Sequence, residues 1–138
     1  MRTHTSPQEA LIYLMVMISA VDREMSEAEL RRIGETVRFL PVFNGFDEKR
    51  IIEVAGECQK LLQAENGPDN VLNLVRDSIP PELHETAYAL AVEVVAADFF
   101  AAPEEVRMLQ IVRNRLQLNV AIAAAIEGAA KARYRKLS

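Results

Sequence analysis

Between Ala10 and Val21 apolar residues fall on every side of a helical wheel rather than on one stripe. Leu11, Ile12, Leu14, Met15, Val16, Met17 and Ile18 fill almost every position. A helix of that kind belongs at the centre of a bundle, where no face meets water. Ser6-Pro7-Gln8-Glu9 precedes it as a capping box with Pro at the first helical position. The next stretch is amphipathic. After a second capping box, Ser26-Glu27-Ala28-Glu29, the residues Leu30, Ile33, Val37 and Leu40 recur on one face, while Arg31, Arg32, Glu35 and Arg38 lie elsewhere. That pattern predicts a covering helix, ended by Pro41.

The remaining punctuation predicts five more helices. Asp47 caps a third that runs through Ile51, Ile52, Val54 and Leu61 to about Gln63. Asn66-Gly67-Pro68 opens a short fourth with Val71, Leu72 and Val75. Pro80-Pro81 stops it and leads into a fifth from Glu82 to about Ala97. Pro103 opens a sixth carrying Val106, Leu109, Val112 and Leu116, and Asn119 caps an Ala-rich seventh that reaches about Tyr134. No hairpin signal flanked by alternating apolar residues occurs. The reading is an all-α bundle of about seven helices, one domain over residues 1–138, with no linker long or polar enough to divide it.

The fifth and sixth helices echo the first and second. Leu14 to Asp22 lies over Leu90 to Asp98, and the register continues without a gap to place Glu29 on Glu105, Arg31 on Arg107, Ile33 on Leu109 and Leu40 on Leu116. Ala/Val-rich composition accounts for part of this match but not for Asp, Glu and Arg at equal offsets. The expected consequence is an internal pseudo-two-fold repeat of a helix–loop–helix unit, with copies at about 8–40 and 84–118. In each copy an Asp ends the buried helix and a Glu seven residues later starts the covering one.

Composition narrows the class. Half of the 138 residues are hydrophobic, enough for a packed core, and Gly and Pro are few. The formal net charge of −4 lacks the basic footprint that nucleic acid requires. Cys58 is the only cysteine, so an intramolecular disulfide and a Cys-rich zinc site are excluded, and its apolar neighbours mark it as a small core residue. The start of the chain does not read as a signal peptide, and neither apolar stretch spans a bilayer: the first is too short, and Glu93 and Asp98 interrupt the second. A cytoplasmic location is the expectation.

Asp22, Glu29, Asp98 and Glu105 are the candidate site residues, and two readings of them stand. In one they are helix caps. Glu29 reaches back to the backbone of Ser26, and Asp22 and Asp98 accept from free N–H groups of the following helix. In the other they hold a divalent cation, since a carboxylate at a helix C-terminus faces the negative end of the dipole. Oxygen-only ligands select Mg²⁺, Mn²⁺ or Ca²⁺ over zinc. Glu24 and Glu27 enrich the first copy in carboxylates, whereas Phe99, Phe100, Ala101 and Ala102 make the second loop apolar. The first copy is therefore the better site. The loop is no EF-hand, lacking alternating Asp/Asn ligands and a central Gly. His4 and His84 do not supply the Glu-x-x-His pairs of a di-iron bundle, and both read as solvated.

At these residues the sequence resembles the TerB-like family, named for tellurite resistance protein B. The match comprises the apolar helix, Asp22, the polar loop with Ser26, Glu29, and the echo at Asp98 and Glu105 before Leu116-Gln117-Leu118, covering roughly Ala10 to Asn119. The resemblance implies an all-α fold of about seven helices with internal two-fold pseudo-symmetry. It implies divalent cations at the acidic positions, no organic cofactor, and a non-catalytic role in tellurite or other stress responses. It places that role within membrane-associated assemblies; the partners expected for the chain are other proteins, in such an assembly or as a homodimer. The family often has Gly after each Asp; Arg23 and Phe99 stand there in this chain.

Nothing else in the chain competes. No Gly-rich phosphate loop, Gly-x-Ser-x-Gly, His-Glu-x-x-His or Cys/His pair is present, so no catalytic constellation supports an enzyme. Lys131, Arg133, Arg135 and Lys136 around Tyr134 read as a solvated helix end, where positive charge suits the dipole. Phe39, Phe43, Phe46, Phe99 and Phe100 read as core or loop anchors, and exposure of Phe99 or Phe100 would instead mark a dimer interface. The alternative to a cation-binding module is a protein-interaction module, a scaffold or homodimerisation unit, whose acidic residues only cap helices.

Overall fold

The described residues, 4–20, 24–97 and 103–137 of a computed structural model, fold into seven α-helices. They are α1 (Pro7–Ser19), α2 (Glu27–Phe39), α3 (Ile51–Gln63), α4 (Gly67–Ser78), α5 (His84–Ala96), α6 (Pro103–Arg115) and α7 (Val120–Arg133). The described residues contain no strand. Val21 to Arg23 and Asp98 to Ala102 lie outside the described residues, as do the first three positions and Ser138.

α1 is the hub. Every residue from Ala10 to Ser19 is buried, and its main neighbours are α3, α4 and α5. Ser6 Oγ accepts from Glu9 N at 3.1 Å, and Pro7 occupies the first turn, where its missing N–H costs nothing. The few polar atoms of α1 are matched: Tyr13 Oη donates to Glu57 Oε2 at 3.2 Å, and the Tyr13 carbonyl accepts from Cys58 Sγ at 3.5 Å.

The covering helices follow the predicted stripes. α2 buries Glu29, Ile33 and Val37 and turns Arg31, Arg32, Glu35 and Arg38 to water. α3 starts later than its cap signal: Asp47 caps a 3₁₀ turn over Glu48–Arg50, accepting from Lys49 N at 3.0 Å, and α3 grows from that turn. A similar turn, Pro81–Leu83, precedes α5. Gly67 makes the α3–α4 corner tight. A side-chain carbon there would sit 2.3 Å from the Leu62 carbonyl oxygen, so no larger residue fits without moving backbone. α7 lies on α5, and its buried Ala123 and Ala130 permit close approach.

Only one of the two helix pairs of the expected repeat keeps the 76-residue spacing read from the sequence, since α1 and α5 start and end 77 residues apart, Pro7 against His84 and Ser19 against Ala96. Glu27 and Pro103 start α2 and α6, Phe39 and Arg115 end them, and both pairs are 76 residues apart. Phe39 and His84 depart from their sequence reading. Phe39 is 75% exposed, not a core anchor, because it falls beyond the stripe formed by Ile33 and Val37. His84 is half-buried rather than solvated, its Nε2 lying 3.1 Å from the Ile79 carbonyl oxygen.

Leu14 to Ala opens a cavity among helices that cannot all collapse inward, and is expected to cost about 3 kcal/mol. Phe39 to Ala should stay within about 0.5 kcal/mol, as exposed substitutions do. Urea midpoints at constant slope measure both. Burial pushes the Cys58 thiol up to about 12, well above its ordinary value of 9.0. A thiol raised in this way binds its proton more tightly folded than unfolded. Its contribution to stability is therefore complete below the ordinary value and is lost as the pH rises through that range. A disulfide reagent at pH 8 should accordingly modify Cys58 only at the rate of unfolding; rapid stoichiometric labelling of the native protein would contradict this.

Candidate functional site

The capping box at the start of α2 forms as the sequence requires. Glu29 N donates to Ser26 Oγ at 3.1 Å, and Ser26 N donates to Glu29 Oε1 at 2.8 Å. This reciprocal pair satisfies two helix N-terminal donors and holds the carboxylate inward, where Glu29 is only 8% exposed. Glu105 occupies the same third position in α6 and is 2% exposed. Glu side chains are almost never buried to this degree without partners, and the positive end of the helix dipole is one compensation both share. Asp22 and Asp98, the other half of each predicted pair, lie outside the described residues.

Glu29 also borders a cavity of about 180 Å³ between α1, α2 and α5, to whose lining the C-terminal segment contributes Tyr134. Ser19, Arg32, Glu93 and Tyr134 share its lining. Tyr134 Oη donates to Glu93 Oε1 at 2.6 Å, and Arg133 pairs with Glu93 Oε2. The hydrogen bond to Glu93 is the main reason the Tyr134 phenol is held above its ordinary value; burial adds to it, and Arg133 and Arg32 oppose it. The basic C-terminus is thus partly a clamp on α5 rather than only a solvated helix end. Sequence reading missed Glu93 as a partner because it looked like an interruption of an apolar helix. Its one available signal was a lone acid on an otherwise buried surface.

A cation fits the chemistry of the described donors to a limited extent. Glu29 and Glu105 offer hard carboxylate oxygens at buried positions, suited to Mg²⁺, Mn²⁺ or Ca²⁺. Among the described residues, no three His, Cys, Asp or Glu side chains gather closely enough to hold a metal ion. A ligand set of three or more carboxylates would therefore have to include Asp22 or Asp98, which lie outside the described residues.

Among the described residues, seven helices that include a first helix buried from Ala10 to Ser19, with a buried Glu in the first turn of two covering helices, define an all-α domain with acidic helix junctions. The family model described as Tellurite resistance protein TerB matches residues 8–133, and the chain belongs to that family. It is a tellurite-resistance-type domain. No curated protein and no solved structure matches the chain. Among the described residues, no helix is long and apolar enough to cross a membrane.

Ser26 to Ala removes the acceptor for Glu29 N and should lower stability by about 1 kcal/mol, whereas Ser26 to Asp should keep most of it. Thermal unfolding of the two variants distinguishes a working cap from a Glu29 held entirely by other contacts.

Proposed function

We propose that this domain binds a divalent cation through its acidic helix junctions and acts without catalysis in a tellurite or related stress response. The observation that carries the reading is the pair of buried glutamates, Glu29 and Glu105, at the same helical position in two covering helices. Asp22 with Glu29, and Asp98 with Glu105, would hold the ion. Bound there, the cation supplies positive charge to carboxylates clustered at a loop, joining the end of a buried helix to the start of its cover. The first junction is the stronger candidate, because Glu24 and Glu27 add acidic groups beside it.

A second reading has its own support. The Ser26–Glu29 capping box accounts for one Glu29 oxygen with no ligand. Phe39, Ile52 and Val120 leave large apolar side chains in water, at 75%, 72% and 78% exposure. On this reading the domain is a protein-interaction module, a scaffold or a homodimer unit, and its acids are caps.

Calorimetric titration with Ca²⁺, Mg²⁺ and Mn²⁺ separates the two. Wild type should bind at least one of them, Asp22→Ala/Glu29→Ala should bind it at least tenfold more weakly, about 1.4 kcal/mol, and Glu105→Gln should weaken it less. Equal and negligible binding by all three proteins would leave the interaction module as the reading.

A further inference from the structure

A second pocket lies away from Glu29, between α5, α6 and α7. Its volume is about 310 Å³, at the lower end of the roughly 300–1,000 Å³ typical of small-molecule sites. The wall is apolar: Val92 and Val95 from α5, Val106 and Leu109 from α6, Ala130 from α7. The polar groups collect at one side and are already organised. Tyr88 Oη donates to Glu127 Oε2 at 2.5 Å, and Arg113 Nη1 lies 3.5 Å from the same oxygen. Burial, then the bond to Glu127, raises the Tyr88 phenol above its ordinary value, so it stays a donor.

The charges do not cancel. Arg113 and Lys131 line the pocket against one carboxylate, Glu127. Glu127 engages one end of the Arg113 guanidinium, which carries five N–H donors in a planar fork. Lys131 has no carboxylate within ion-pair distance among the described residues. The pocket therefore joins a greasy wall to one positive charge that no described carboxylate pairs, with a fork whose geometry matches a carboxylate.

We propose that the α5–α6–α7 pocket binds a small amphipathic carboxylate, a short-chain acyl anion, with its chain along Val92, Leu109 and Ala130 and its carboxylate at Arg113 and Lys131. The pocket's limited volume suits a free short chain better than a whole membrane lipid. This site is separate from the acidic junctions and does not depend on cation binding.

Octanoate is the probe, with octylammonium and acetate as controls, followed by methyl NMR of the full chain. Octanoate should give saturable shifts centred on Val92, Val95, Val106 and Leu109. Octylammonium lacks the anion and acetate lacks the chain, so both should bind at least about fivefold more weakly. Lys131→Glu changes an exposed residue and should weaken octanoate by a similar factor while leaving the melting temperature unchanged. Val106→Asp, at the half-exposed rim, should weaken it through the chain. The proposal is overturned by an absence of saturable shifts, by octylammonium binding as tightly as octanoate, or by both variants retaining wild-type affinity. Binding to phosphatidylglycerol vesicles with no response to free octanoate would overturn it in favour of a membrane surface.

Discussion

The burial of α1 on all sides is the constraint from which the rest of the architecture follows. Ten consecutive residues, Ala10 to Ser19, have no exposed face. A helix satisfies its own backbone hydrogen bonds, so such a segment can sit in an apolar interior provided other elements surround it. α3, α4 and α5 supply most of that enclosure, and each turns its own apolar face toward α1. Each fully buried Leu or Ile contributes roughly 1.5–3 kcal/mol relative to exposure, so a hub of this kind outweighs the modest terms from individual caps.

Enclosing an apolar hub leaves the helix ends as the places where polar chemistry gathers. At the α2 start, Ser26 and Glu29 answer each other's backbone donors, which lets a carboxylate lie almost out of water. At the α6 start, Glu105 is deeper still. Along α5 the same logic applies to side chains. Glu93 would be an exposed interruption of an apolar helix if α7 did not bring Arg133 and Tyr134 to it. Tyr88, near the other end, receives Glu127 from the same helix. The α5–α7 contact is thus made of small apolar residues between two polar ties.

Much of this was legible in advance because it depends on local periodicity. The all-round apolar pattern of α1, the one-sided pattern of α2, and the Ser6, Ser26 and Asn119 caps each act within a few residues, and α1, α2 and α7 form where those signals stand, whereas Asp47 caps a 3₁₀ turn ahead of α3. The misses share a cause. Phe39 read as a core or loop anchor because it is large and apolar, yet it is the last residue of α2 and stands mostly in water. His84 read as solvated, yet the turn before α5 folds the Ile79 carbonyl onto it. Glu93 gave little sign of its partners because they lie 40 and 41 residues away, and no local rule links them.

The sequence by itself determined the class: seven helices, a buried first helix, and glutamates at the third positions of two covering helices. Helix period, capping and Pro placement are short-range effects written into neighbouring residues. Only the tertiary structure decided how deeply those glutamates are buried and that Glu29 borders a cavity with Arg32 and Tyr134. It alone brought Arg113, Glu127 and Lys131 to the mouth of an apolar pocket. Those outcomes depend on which helix lies beside which, and that is set by packing across the whole core rather than by any single stretch of chain.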